Sequence, residues 1–297
     1  EDNLKGKFFL KEKIIKNIFL LSSLTSIFFL VGISLILFKE GLPLFREINF
    51  IKFLWGKSWY PTCNPPEFGA LPLILGSFWI TFGALIIAVP LGVSAAIYIS
   101  ELATPKIRNF LKLAIEMLAG IPSVIYGFLG IVVLGPWLQK LLNLPVGLCS
   151  ITASLLLALM AIPTITSLSE EALFSVSKDY KEASYALGAT KWETIIKVIV
   201  PAAFPGISTA VLLGMGRVIG ETMTVLMVAG GAAVIPRSFL EPARPITATI
   251  ALEMGEAVVG SSHYHALFSL ACILFMVSLA LNLTADYFLT KFRRTSQ

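Results

Sequence analysis

Uncharged apolar runs of membrane-crossing length alternate with short charged segments along the whole chain. Asn17 to Phe38, Phe68 to Ser100, Met117 to Gln139 and Leu141 to Ser169 contain no Asp, Glu, Lys or Arg, and neither does Ala257 to Ala285. Val198 to Gly231 is equally apolar apart from Arg217 and Glu221. About 20 apolar residues cross the hydrocarbon core as a helix, so the pattern predicts six transmembrane helices. Their expected positions are 17–38, 71–100, 117–139, 149–169, 201–231 and 261–285, within one domain of 17–290. Tails at 1–16 and 291–297 and a charged loop at 170–200 complete the division. The second to fifth spans hold Pro90, Pro122, Pro136, Pro163 and Pro205. A proline frees a backbone carbonyl, which is tolerated in a membrane where a neighbouring helix or a wet cavity satisfies it. Close small-residue spacings, Ala88 with Gly92 and Gly216 with Gly220, point to tight helix packing.

Composition narrows the class. Of 297 residues, 56% are hydrophobic and 14% charged, against about 25% charged in soluble domains, and mean hydropathy is +0.84. A soluble enzyme is excluded. The basic residues are dispersed through loops rather than gathered on one face, which excludes a nucleic-acid binder. Their distribution reports orientation instead. With six spans, the side holding both tails, the 101–116 loop and the 170–200 loop carries 15 Lys and Arg, against 7 on the other side. Positive-inside then places both termini and the 170–200 loop in the cytoplasm. The run after Lys16 is long for a signal peptide and Lys39-Glu40-Gly41-Leu42-Pro43 offers no cleavage pattern, so an uncleaved first span is expected. Cys63, Cys149 and Cys272 are far apart and show no metal spacing.

The segment Glu182 to Pro201, EASYALGATKWETIIKVIVP, is the main charged interruption of the second half. Ala183, Ala186 and Leu187 form a short apolar stripe, Gly188 is a stop signal, and Pro201 suits the first turn of a following helix. A short helix, a turn and a second helix entering the membrane are predicted. The spacing Glu182-Ala183-Ser184, Gly188, then Val198, Val200 and Pro201 resembles the EAA loop of ABC-importer permeases, with Ser184 replacing the second alanine. The resemblance implies a cytoplasmic coupling helix that docks on an ATPase subunit through Glu182, Ala183, Ser184, Gly188 and Pro201.

Arg217 and Glu221 are four positions apart within an apolar span, the spacing of one helical face. Ionisable groups in spans face the bundle interior or a pathway, and Arg suits bidentate contact with a tetrahedral oxyanion. Two readings stand: Arg217 attracts an anion and Glu221 holds the arginine in place, or the two form a structural ion pair. Gly120-Ile121-Pro122-Ser123 breaks the third span, and Ser123 is a further pathway candidate beside the reading of a simple helix-start turn. Glu241, Arg244, Glu253, Glu256, His263 and Tyr264 read as a solvated surface on the far side. His263 and His265 fall on different faces at helical spacing, so they suggest a metal only faintly. No catalytic constellation is present. Gly-Lys-Ser at 56–58 lacks the preceding glycine of a phosphate loop, with Ile51 in its place, so ATP hydrolysis must come from elsewhere. No cofactor is expected.

Beyond that loop, Phe68-Gly69-Ala70-Leu71-Pro72, Ala88-Val89-Pro90-Leu91-Gly92, Ala95 to Glu101 and Glu116 to Ser123 look like the phosphate-specific permeases of the Pst system. Gly216 to Met223, Glu253 to Ala257, Gly260-Ser261 and His263-Tyr264 fit the C-type of its two permease subunits better than the A-type. The resemblance spans roughly 17–290. It implies an all-α polytopic membrane protein with the type I ABC-importer, MetI-like fold, in the cytoplasmic membrane of a bacterium or archaeon. The implied partners are an A-type phosphate permease subunit, a cytoplasmic ABC ATPase dimer, an extracytoplasmic phosphate-binding protein and membrane lipid. The implied cargo is inorganic phosphate. Sulfate or molybdate stays open within the same fold, and an ATPase-independent ion-coupled carrier is the rival class.

Overall fold

The computed structural model describes the backbone of residues 2–293 and the side chains of residues 15–287. Lys5, Lys7, Lys11 and Lys13, and the tail residues Lys291, Arg293 and Arg294, on which the charge asymmetry partly rests, have side chains outside the described residues. Helix α1 (Asp2–Gly41) runs into a 3₁₀ turn, Leu42–Arg46, and a short α2 (Phe50–Trp55). A two-stranded antiparallel hairpin follows, β1 (Trp59–Tyr60) with β2 (Glu67–Phe68), pairing Trp59 with Phe68. Helix α3 (Leu71–Ile97) ends in a π-turn, Tyr98–Leu102, and leads to α4 (Pro105–Ala119). Helices α5 (Ser123–Leu129) and α6 (Gly135–Leu141) are joined by a π-turn into one span of membrane length. Next come α7 (Ser150–Phe174), α8 (Lys178–Ala186) and α9 (Lys191–Thr194), which passes through another π-turn into α10 (Val200–Gly220). The chain closes with α11 (Met223–Val228), α12 (Ile246–Glu253) and α13 (Ser262–Arg293). Among the described residues six helices are long and apolar enough to cross a membrane.

Helix α7 is the axis of the bundle, packed between α3 and α10. Ala153, Leu157, Ala161 and Ile165 along it are fully buried. Lipid tails are as apolar as leucine, so burial alone does not draw these helices together; close van der Waals packing and interhelical hydrogen bonds do. Ser154 Oγ donates to the Ile80 carbonyl of α3 at 3.1 Å, and Thr166 Oγ1 to the Gly92 carbonyl at 3.2 Å. Ile165 fits between Gly92 of α3 and Gly214 of α10, where an added Cβ would stand 2.9 and 2.6 Å from its side chain. Two satellite cores finish the bundle. One, around Phe53, Trp59, Leu73, Ile246 and Leu267, lies at the hairpin end; the other, around Ala96, Leu173, Ile195 and Ile199, lies at the α8 end.

Two predicted spans are cut short by breaks in the helix. The expected 117–139 span begins at Ser123, because Met117 to Ala119 complete α4, a separate helix with no buried residue. Pro122 is extended (ψ 141°) and lacks an N–H, so the helix cannot run through it. The expected 201–231 span ends at Gly220, since Glu221 is extended (ψ 132°). The chain then returns as α11, whose Val225 and Val228 join the central core, and α12, whose Ile246 to Thr249 are buried. The segment between the fifth and sixth spans is therefore partly interior. The cysteines are all free: Cys63 exposed, Cys149 buried and Cys272 between the two.

Candidate functional site

The α8–α9 hairpin owes its shape to local rules. Ser177 caps α8 by accepting from Asp179 N at 3.3 Å, with the Asp179 carboxylate in the first turn where the helix dipole favours it. At the other end Gly188 has φ +84°, its N–H bonds Tyr185 O at 2.9 Å, and Ala189 N bonds Ser184 O at 3.2 Å. That paired arrangement closes a helix and asks for a residue without Cβ at the left-handed position. Thr190 and Glu193 then form a capping box at the start of α9. Pro201 directly follows the π-turn Ile195–Ile199 inside the continuous run Lys191–Gly220, where the widened turn accommodates its missing donor.

The stripe of Ala183, Ala186 and Leu187 does not pack on the bundle. All three are exposed, Leu187 to 90%, and Tyr180 and Tyr185 are exposed beside them. Glu182 and Gly188 are exposed too, while Ser184 is buried, its Oγ 2.9 Å from Thr194 Oγ1. The polar residue of the segment faces the protein and the apolar ones face away from it. Lys181 Nζ adds a tether, 2.7 Å from Glu101 Oε1 at the end of α3. No local spacing signals either contact, since Lys181 and Glu101 are 80 positions apart.

The three pathway candidates converge only in part. Arg217 does not pair with Glu221: its Nη1 donates to Thr164 Oγ1 of α7 at 3.0 Å. The helix stops between them, so the four-residue spacing no longer places both on one face. Glu221 instead starts α11, accepting from Thr224 N at 3.3 Å, while its carbonyl accepts from Thr247 Oγ1 at 2.8 Å. Thr224 Oγ1 donates to the Ser123 carbonyl at 3.0 Å, so Ser123 and Glu221 share Thr224 as an intermediary. Neither Thr164 nor Thr224 is signalled by the sequence, since a threonine in an apolar span carries no distinguishing pattern. Thr164 lies near the middle of α7, so the Arg217 guanidinium, carried on the last turn of α10, sits level with the middle of that helix and is exposed on the face of this chain.

At the hairpin end, Glu256 is exposed as a solvated surface requires, but Arg244, Glu253 and His263 form a half-buried network. Glu253 accepts from Trp59 Nε1 at 3.0 Å and from Arg244 Nη1 at 2.7 Å, and His263 Nε2 lies 2.9 Å from it. Arg244 Nε also donates to the Gly231 carbonyl at 2.8 Å. Charges only part-exposed must be paired to remain ionised, and one carboxylate satisfies several donors. The network borders a cavity of about 570 Å³. His265 turns the other way, its Nδ1 2.7 Å from the Glu40 carbonyl. Among the described residues no three His, Cys, Asp or Glu gather as metal ligands.

Comparison with known proteins places this geometry in context. The family described as "Binding-protein-dependent transport system inner membrane component" matches residues 88–294. The "Probable ABC transporter permease protein YqgH" of Bacillus subtilis is 41% identical over 86% of this chain and 84% of its own length. The "Phosphate transport system permease protein PstC" of Mesorhizobium japonicum is 36% identical over 88% of this chain and 84% of its own. That of Haemophilus influenzae is also 36% identical, over 82% of each. Two solved structures share the fold. One is a bacterial alginate ABC transporter in complex with alginate pentasaccharide-bound periplasmic protein (TM-score 0.64, 17% identity, 93% of this chain and 95% of that one). The other is the MetNI methionine ABC transporter in inward facing conformations (TM-score 0.55, 21% identity, 75% and 94%).

Proposed function

Because the chain belongs to the family of inner-membrane components of binding-protein-dependent transport systems, we propose that it is the permease subunit through which an ATP-driven importer takes up inorganic phosphate. It is a multi-pass inner-membrane ABC-importer permease; the proposal concerns its cargo, partners and moving parts. Phosphate is favoured by relatives named as phosphate permeases. The observation that carries the reading is the exposed guanidinium of Arg217, which reaches Thr164 near the middle of the membrane-length helix α7. A charge there costs about 2.5–3.5 kcal/mol against lipid. That face therefore belongs against protein or a wet path, and an arginine on a wet path attracts a tetrahedral anion. The covering protein is an A-type permease subunit, which completes the path from its own side. Thr164 steadies the guanidinium from α7, while Glu221, Thr224 and Ser123 brace the break between α10 and α11 beside it.

In this reading the α8 tip, from Glu182 to Gly188, is the coupling helix. Its exposed Tyr185 and Leu187 supply an apolar knob for a cleft in a cytoplasmic ATPase subunit, one of a pair. The excess of Lys and Arg on the α8 side supports a cytoplasmic position for α8 and both termini. An extracytoplasmic phosphate-binding protein delivers the anion to the hairpin end. ATP binding closes the ATPases, α8 moves with them and the path opens outward; hydrolysis resets it. Hydrolysis is the work of the ATPase partner, not of this chain.

The test is uptake of labelled phosphate and labelled sulfate in cells lacking their own phosphate permeases, expressing this chain with its partners. Phosphate uptake that needs an active ATPase and that excess sulfate does not compete is the expected result. Sulfate uptake would replace the cargo, and uptake surviving a disabled ATPase would replace the mechanism.

A further inference from the structure

At the α8 end, four helices meet through charged side chains rather than through apolar packing alone. Glu101 sits in the π-turn that ends α3, with its side chain only 10% exposed. Its Oε1 accepts from Lys181 Nζ of α8 at 2.7 Å and from its neighbour Ser100 Oγ at 3.0 Å. Arg108 of α4 folds back on the same turn, donating through Nε to the Ile99 carbonyl at 2.8 Å and through Nη2 to the Ser100 carbonyl. The Arg108 guanidinium also lies over the ring of Phe174, the last residue of α7. One turn further along α4, Lys112 Nζ pairs with the buried Glu170 of α7 at 2.9 Å. The end of α3 is thus held by Arg108 of α4 and by Lys181 of α8, and α4 is in turn paired to α7.

Helix α8 has a second link, the covalent path through α9 and the π-turn Ile195–Ile199 into α10, reinforced by the buried Ser184–Thr194 bond. Helices α3 and α10 are the two that pack most extensively on α7. We infer that the Lys181–Glu101 ion pair is the tie through which α8 moves α3, so that displacement of α8 shifts α3 and α10 together around α7. Without it α8 would pull on α10 alone. Lys181 and Glu101 are positioning residues here; neither touches the anion. An ion pair suits this task better than apolar contact. It fixes one direction and distance, and a half-buried pair is screened less than an exposed one.

The inference rests on the coupling role proposed for α8, and the experiment separates the two. The complete transporter, with its permease, ATPase and binding-protein partners, is reconstituted in proteoliposomes, and phosphate taken up per ATP hydrolysed is measured. Lys181→Ala and Glu101→Ala should each lower that ratio on the order of tenfold, the scale of a pairwise coupling between neighbours, while the subunits still co-purify. The exchanged pair, Lys181→Glu with Glu101→Lys, should restore most of it. A ratio unchanged in the single variants, or impaired in them and not recovered by the exchange, would overturn the inference. Leu187→Asp serves as the reference: if it abolishes uptake while Lys181→Ala does not, only the tie is lost, and if it leaves uptake normal the coupling role of α8 falls as well.

Discussion

Arg217 and Glu221, four positions apart in the chain, bind different partners: Arg217 Nη1 reaches Thr164 Oγ1, and Glu221 Oε1 receives the Thr224 amide. The turn at Gly220 separates what helical spacing would have joined. Because the two share no partner, their effects on stability should add. Thermal unfolding of Arg217→Ala, Glu221→Ala and the double variant should show an interaction within about 0.5 kcal/mol, whereas Arg217→Ala alone should abolish anion uptake. A coupling well above that value would mean that the pair closes in the assembled transporter, and surviving uptake would make Arg217 a structural residue.

Gly188 is set apart by its backbone: φ is +84°, with no side chain or backbone within 4 Å of an added Cβ. Space is free and conformation is not, so the effect of a substitution is purely conformational. Gly188→Val should strain the turn by about 1–3 kcal/mol and tilt α8 without disturbing the spans. ATP hydrolysis should then continue while phosphate uptake falls, with subunit assembly intact. Gly188→Asn, which tolerates the left-handed region, should retain most of the uptake; equal loss in both variants would point to a need for the bare glycine surface rather than for the turn.

Glu253 gathers Trp59, Arg244 and His263, residues from the hairpin, the α11–α12 loop and α13. Glu253→Ala would leave Arg244 part-buried without its carboxylate, at a cost of about 2 kcal/mol after allowing for partial exposure. Glu253→Gln keeps an acceptor oxygen and should cost less. The midpoint of thermal unfolding in detergent should therefore fall in the order Gln, then Ala. Equal midpoints for all three proteins would show that the network does not hold the hairpin end.

Residue order alone sets the class of the protein and its local joints. Six runs too apolar for water had to become helices, because only a helix satisfies its own backbone in lipid. Gly188, and Thr190 with Glu193, announced the hairpin at α8–α9, since caps and left-handed turns depend on residues a few positions apart. The motifs through 216–223 and 253–264 carried the family, and a charge in a span flagged Arg217. Tertiary structure alone decided where those runs stop and what the side chains meet. Glu221 marks a break that apolar content does not reveal, because hydropathy reports tolerance of lipid and not backbone direction, whereas the break at Pro122 is legible in its Gly-Ile-Pro-Ser run. The apolar stripe of α8 faces outward because Ser184 finds Thr194, and Lys181 finds Glu101 across 80 residues. Threonine at 164 becomes the arginine's partner only once α7 lies against α10. Contacts of this kind depend on how helices are arranged around a shared axis, and helical periodicity specifies a face without naming its neighbour.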